Sequence, residues 1–524
     1  MTLLSIKEAS NWATNHYGKK IAPSQISYLL QYGYLRKIGN NSTTKVPLTD
    51  LKKYYDSKKN NMEKQWGKNL GEKLNWKLSF KEYREKERTK HVHRLHPYKG
   101  KFIPQLVEYF LDDHTDEFKK EIYFSKNDII LDPFCGSGTT LIQANEININ
   151  SIGIDISKFN SLISNIKVKK HNVFDIQNEI RKITQLFAEF IWNSKSVKFE
   201  QNLLSELKKF NNNFFPSPNF KYKVRNKEIN EQQFGKQKEF EFEQIFLELL
   251  KKYNLKISQN ENDTFMDKWY LKPVREEIDF VLKLINEVKN PDTKKVLTLI
   301  LSRTIRSCRA TSHSDLGTLK KPIHKTYYCH KHYKICKPLF SIFNWWRRYS
   351  RDTIKRLVEF DQLRTNTFQY CLTGDSRNID LISNLRKENS NFADLVVKNK
   401  IKGIFSSPPY VGLIDYHQQH AYAYDLFEYE RNDELEIGPL CKGKGKAARD
   451  SYVDGVTQVL QNSIKYLVDD FHIFLVANDR FNLYPTIAKN AGLKIVNKFK
   501  RPVLSRVEKD KSAYSETIFH MRGE

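Results

Sequence analysis

The sequence predicts an α/β fold: a mostly parallel twisted sheet with crossover helices, closed by a terminal antiparallel hairpin and interrupted by a mostly helical insertion. Two observations predict the sheet, and a third predicts the interruption. "DIILDPFCGSGTTLIQANEI" followed by "INSIGIDIS" reads as buried strand, glycine turn, helix and second strand, the texture of a βαβ unit. That texture returns at "YCLTGDSRNIDLI" and runs through "FHIFLVANDRFNLYPTIAKNAGLKIVNKF" to "SETIFHM". Between the two, residues 166–365 carry long helical patterns such as "REEIDFVLKLINEVKN", joined by Lys-, Asn- and Phe-rich connections. The expected organisation is an N-terminal unit at 1–57, a linker at 58–90, one sheet half at 91–165, the insertion at 166–365 and the second half at 366–524.

Bulk composition narrows the function classes. The chain has 524 residues, 39% of them apolar, enough for more than one buried core. No run of about 18 apolar residues is present to span a bilayer. The start lacks a signal-peptide pattern, so a cytoplasmic protein with no membrane partner is expected. Six cysteines in so long a chain do not make a disulfide framework. A formal net charge of +27 with 13% aromatics points to a polyanionic partner, nucleic acid.

Taken in order, "SIKEASNWATNHYG" and "APSQISYLLQYGYL" are two short helical patterns. "RKIGNNSTTKVPL" then reads as a two-stranded wing around Asn40-Asn41, and a capped helix starts at Thr49. The order helix, turn, helix, wing resembles small winged helix-turn-helix domains, which would turn Ser24, Gln25 and Tyr28 toward DNA. Residues 58–90, polar and charged with scattered Trp, read as a linker that docks only in part.

In "LDPFCGSGTT", Asp132 ends a strand and Gly136 and Gly138 sit in the turn that follows. Glycines there let backbone N–H groups approach a ligand at a helix N-terminus. The third glycine of a dinucleotide fingerprint is missing, and so is the Lys of a phosphate-binding loop. Asp155 ends the next strand, where a carboxylate accepts from ribose hydroxyls. Asp375 in "LTGDSR" ends a third, positioned for an adenine amino group. Three acidic strand ends around a glycine turn suit an adenosine-bearing ligand with a positive tail.

Together "DPFCGSGTT", "GIDIS", "GDSR" and "SSPPY" resemble the amino-group DNA methyltransferases that use S-adenosylmethionine, Rossmann-like enzymes of restriction–modification systems. "HPYKGKFIP" resembles the segment covering the methionine end of the cofactor. The resemblance spans about 91–165 and 366–524. It implies S-adenosylmethionine as cofactor, with Phe102, Asp132, Phe134, Gly136, Gly138, Thr139, Asp155 and Asp375 as its binding residues. It also implies double-stranded DNA as partner and a cognate restriction endonuclease encoded nearby.

"FSSPPY" carries the chemistry. A double proline ends a strand in a stiff turn that can hold a carbonyl outward beside Ser407. Acceptors on the two hydrogens of a base amino group expose its lone pair, and Tyr410 can stack on a base that has left the duplex. Ser407, Pro408, Pro409 and Tyr410 are thus the expected catalytic set. In the family, Asp or Asn before the double proline goes mainly with adenine N6 and Ser mainly with cytosine N4, so cytosine N4 is expected and adenine N6 is the alternative. An RNA base methyltransferase and a catalytically dead DNA-binding regulator are the remaining rivals. Tyr416 and His417 follow at once and are expected at DNA.

Within the insertion, Arg303, Arg306 and Arg309 recur at three-residue spacing and are expected to track a phosphate strand from one helix face. "WWRRY" at 345–349 either stacks on bases or anchors the block. Cys308, Cys329, His332 and Cys336 are chemically acceptable zinc ligands at irregular spacing; no metal is the expectation, with zinc the weaker alternative. "CKGKGKAARDSY" reads as a glycine–lysine loop, and Arg506 and Tyr514 are expected near the substrate face.

Overall fold

The computed structural model describes the chain apart from residues 1, 18–20, 40–42, 57–61, 72–73, 193, 260–263, 316–317 and 505–512 and the side chains of 62–65. The tip of the expected wing, Asn40-Asn41, and Arg506 lie outside the described residues. Among the described residues there are eleven strands: β1 (Leu3–Ser5), β2 (Lys45–Pro47), β3 (Ile129–Asp132), β4 (Asn150–Asp155), β5 (Tyr327–Cys329), β6 (Lys334–Cys336), β7 (Gln369–Thr373), β8 (Ile401–Ser406), β9 (Leu467–Ala477), β10 (Leu493–Pro502) and β11 (Ser515–Gly523).

The chain divides into two units. One comprises 1–65, 186–280 and 307–343; the other comprises 66–185, 281–306 and 344–524. This division cuts the expected insertion differently, since 166–185, 281–306 and 344–365 fall with the sheet. Trp346 shows why for its segment: it is fully buried, and its indole N–H donates to Thr184 Oγ1 at 2.9 Å. Its neighbours Arg347 and Arg348 stay exposed, so "WWRRY" holds its helix to the sheet unit through its second Trp. Residues 66–90 are also more than a linker: Leu78 and Phe80 are buried in the core beside the helix Pro104–Leu111.

In the sheet unit seven strands run in the order β10-β11-β9-β8-β3-β4-β7. β9, β8, β3, β4 and β7 pair in parallel, and β10 and β11 add antiparallel to β9. The parallel strands are apolar on both faces because helices cover both. Leu131, Ile152, Ile404 and Ile473 pack on one side; Ile130, Phe405 and Phe474 pack on the other, alternating with the pleat. Strand order reverses about β3, so the carboxyl ends of β3, β4, β7 and β8 open on one edge, where such sheets bind ligands.

In the other unit, the helices Ile6–Tyr17, Pro23–Gln31 and Leu48–Asp56 surround Ala9, Ala13, Ile26, Leu30 and Leu51, and β1 pairs antiparallel with β2. Ser24, Gln25 and Tyr28 lie exposed on the second helix. Long helices such as Lys195–Phe214 and Glu231–Tyr253 make up the insertion part.

One buried bond couples distant parts of the sheet. Ser406 Oγ, at the end of β8, donates to Asp132 Oδ1, at the end of β3, over 2.6 Å, and both side chains are buried. Burial pushes the Asp132 carboxyl up to about 6, against the donors Ser406, Thr140 and the Phe134 N–H. Ser406→Ala is expected to lower stability by about 1–3 kcal/mol, more above pH ~6 than below it, because a buried acceptor loses a donor and costs most when charged. Denaturant unfolding at two pH values measures this, and an unchanged midpoint contradicts it.

Candidate active site

The first wall is the turn after β3. Gly136 has φ +53°, a left-handed conformation, and a Cβ there would lie 3.1 Å from the Tyr98 ring. Its N–H donates to Asp155 Oδ2 at 2.7 Å. The turn's carbonyls point inward: Gly136 O accepts from Ser164 Oγ at 3.2 Å and Ser137 O from Lys167 Nζ at 2.7 Å. Burial holds that lysine well below its usual pKa. Asp155, at the end of β4, also accepts from the Ser157 N–H and the Asn160 amide, at 2.9 and 3.1 Å. Burial nevertheless raises its carboxyl to about 6, the three donors only partly offsetting the lost hydration.

The second wall comes from β7 and β8. Asp375 is gripped by Arg377, whose Nε and Nη2 approach it to 2.9 and 2.5 Å. Ser376 Oγ donates to Pro133 O at 2.7 Å, tying this loop to the glycine turn. Ser407 and Pro409 follow β8 directly. Between the walls lies a cavity of about 860 Å³, open water at its mouth included. Phe102, Phe134, Gly136, Thr139, Asp155, Asp375, Ser407, Pro409 and Tyr416 all line it.

A second cavity of about 620 Å³ lies beyond the double proline, lined by Tyr410, Tyr452, Asp479, Arg480, Tyr484 and Tyr514 among others. The Tyr410 hydroxyl donates to Glu516 Oε1 at 2.9 Å, with Arg501 3.6 Å from the same carboxylate. Burial, followed by Glu516 and Tyr514, raises the Tyr410 pKa well above normal. Ser407 and Pro409 therefore face one cavity and Tyr410 the other.

A family model described as DNA methylase matches residues 12–166. The Type II methyltransferase M.MjaII of Methanocaldococcus jannaschii is 44% identical over 530 aligned residues, covering 100% of this chain and 97% of that protein. M.BsoBI of Geobacillus stearothermophilus and M.MvaI of Kocuria varians, also Type II methyltransferases, are 34% and 31% identical over about a fifth of the chain. The chain belongs to the amino-group DNA methyltransferases of restriction–modification type.

Methyltransferases of this family use S-adenosylmethionine, and the first cavity fits it. The carboxylates of Asp155, Asp375 and Glu436 and the rings of Tyr98, Phe102, Phe134 and Tyr416 suit a cationic molecule bearing an adenosine. Gly136 leaves open the space next to Tyr98 that a side chain would fill. Lys101, on the same wall, gives its ammonium to the His93 carbonyl at 2.7 Å, and burial lowers it to about 8.

Some expected residues of the methyltransferase sit elsewhere. Asp132 and Gly138 are behind the cavity wall: Asp132 takes Ser406, and a Cβ on Gly138 would meet Ser164 at 2.9 Å. His417 cannot meet DNA phosphates, because it is fully buried and paired with Glu436. Glu436 also accepts from the Tyr416 and His417 N–H groups at 3.1 and 2.7 Å, which positions Tyr416 on the wall. The three arginines do not form an outward stripe. Arg303 is buried, 2.6 Å from Asp352 and 4.2 Å over the Tyr349 ring; Arg309 is also buried and follows the helix end at Ser307; Arg306 is half-buried. A helix that ends before its third arginine cannot keep the three on one face. Cys308 is buried apart from Cys329, His332 and Cys336, which do meet. The glycine–lysine loop is shorter than expected, since a helix starts at Lys446.

Sequence reasoning missed Tyr98, Ser376, Ser406 and Glu436. Tyr98 was within reach, as part of "HPYKGKFIP". Glu436 lies in a segment with no local signal, and its role exists only through the folded chain.

Two outcomes are expected by calorimetry with S-adenosylmethionine. Gly136→Ala weakens binding, because the left-handed φ and the Tyr98 contact both oppose a Cβ. Wild-type affinity falls as pH drops through about 6, where Asp155 gains a proton and loses an acceptor, and Asp155→Asn flattens that dependence. A flat wild-type profile contradicts the Asp155 assignment.

Proposed function

We propose that this methyltransferase acts on the N4 amino group of cytosine in duplex DNA, flipped out of the helix, and protects sites cut by a cognate restriction endonuclease. The observation that carries the reading is the turn 407–410, whose two ends face two adjoining cavities. S-adenosylmethionine, when bound, supplies a methyl group on a positively charged sulfur. The chain's residues supply position and charge. Ser407 and the carbonyl side of the proline turn accept from the amino hydrogens, drawing the nitrogen toward sp³ character so that its lone pair faces the first cavity. The amino proton shed on methylation is released to water past these acceptors, which hydrogen-bond it without being basic enough to keep it. Tyr410, pinned through its hydroxyl to Glu516, offers a ring face in the second cavity for the base to stack on.

Serine at 407 favours cytosine N4 over adenine N6, by the family's pattern at that position. For target reading, we assign the helical insertion together with the N-terminal unit, whose Ser24, Gln25 and Tyr28 are exposed on one helix. Neither the sheet unit's Arg303 nor its His417 is free for that work. Among the described residues no helix is long and apolar enough to cross a membrane.

Tritium transfer to duplex DNA, with the methylated nucleoside identified by mass spectrometry, tests the reading. N4-methylcytosine is expected. N6-methyladenine overturns the base assignment, transfer to RNA alone overturns the substrate, and no transfer to either sinks the enzyme. Tyr410→Ala is expected to lose roughly 10²-fold or more in transfer while binding cofactor normally. Tyr410→Phe, which keeps the ring and drops the hydroxyl's contacts with Glu516 and Ser407, retains most activity. Equal losses in both variants contradict stacking as the role of that ring.

A further inference from the structure

The hairpin β5–β6 has two different faces. Tyr328 and Ile335 point to the helices: the Tyr328 N–H and hydroxyl reach Glu239 and Glu231 at 3.1 and 3.2 Å, and Ile335 exchanges two bonds with the Asn211 amide. The other face carries Tyr327, Cys329 and Cys336, with Cys336 directly opposite Tyr327 in the register. Among the described residues these three form a hydrophobic cluster of their own, with the partly buried Ile323 packed against it. Strands of three residues with so small a core are marginal by themselves.

The hairpin turn places a histidine over the thiols. The N–H groups of His332 and Tyr333 both donate to Cys329 O, at 3.1 and 2.7 Å, and Tyr333 takes a left-handed φ of +55°. This folds His332 back, so that its Nδ1 lies 3.7 Å from Cys329 Sγ and 3.6 Å from Cys336 Sγ. A fourth group arrives from the loop after the helix Pro291–Ser307. His313 Nδ1 is 3.7 Å from Cys329 Sγ, and its ring centroid is 4.4 Å from that of His332. All four ligand atoms lie within 4.8 Å of one another. Zinc–sulfur and zinc–nitrogen bonds of about 2.3 and 2.0–2.1 Å at tetrahedral angles put neighbouring sulfur and nitrogen ligands about 3.5 Å apart. The three sulfur–nitrogen distances of 3.6–3.7 Å are within a few tenths of an ångström of that spacing before any ion draws the group in.

We propose that His313, Cys329, His332 and Cys336 bind a structural zinc ion that clamps the hairpin to the loop after residue 307. Four protein donors close a tetrahedron and leave no position for water or substrate, so the ion is structural and takes no part in methyl transfer. Two thiolates cancel its charge, and burial of both sulfurs shields them from solvent. The Tyr327 hydroxyl, 2.8 Å from His313 Nδ1, turns its proton away from that nitrogen when the metal takes the lone pair. The ligand set differs from the one spacing suggested, with His313 in the place of Cys308.

Metal analysis of full-length protein purified without chelator tests this. One zinc ion per chain is expected, retained in Cys308→Ser and lost in Cys329→Ser and His313→Ala. Wild-type protein stripped of metal and reloaded with cobalt gives a reading that needs no variant to fold: a tetrahedral cobalt spectrum with thiolate charge-transfer absorption is expected. Wild type without stoichiometric zinc, a cobalt spectrum lacking thiolate bands, a Cys329–Cys336 disulfide in the purified protein, or zinc loss in Cys308→Ser equal to that in Cys329→Ser each overturns the proposal.

Discussion

The hydrogen bond from Ser406 to Asp132 joins residues 274 positions apart and holds the two functional strand ends side by side. The glycine turn leaves β3 right after Asp132, and the double proline leaves β8 right after Ser406. A donor and an acceptor placed at the last residue of each strand keep the two exits level. The cost is a buried carboxyl that burial would rather see neutral. What it secures is geometry, since the glycine turn and the double proline start from strand ends fixed to each other.

From that joint the site extends in two directions. Toward β4 and β7, carboxylates and aromatic rings line a cavity, and bonds from Ser164, Lys167 and Ser376 tie down the carbonyls of its glycine turn. Toward β9 and β11, Tyr410 is held by Glu516 in a second, aromatic-lined space. The proline pair is the partition. Its stiffness fixes Ser407 and Pro409 on one cavity and Tyr410 on the other.

Much of this was legible from the chain alone where function rests on local backbone. "DPFCGSGTT" needs a left-handed glycine turn at a strand end, and Gly136 adopts one. The βαβ texture announces parallel strands because their both-sided burial makes continuous apolar runs. Long-range partners left no such trace. Nothing near His417 in the chain marks Glu436 as its partner, and the three-residue spacing of the arginines does not show that the helix ends at Ser307.

The chemistry on offer is already written in the chain: three acidic strand ends, a glycine turn, a serine before a double proline, and a basic, aromatic composition. Those follow from residue type and short spacing, which carry backbone preference directly. Which acids face a cavity and which brace a wall is settled by the folded chain. It placed Asp155 and Asp375 in the first cavity and put Asp132 behind it, and it brought His313 rather than Cys308 to the thiols. The physical reason is that a side chain's role depends on neighbours brought by folding from far along the chain, and spacing does not encode them.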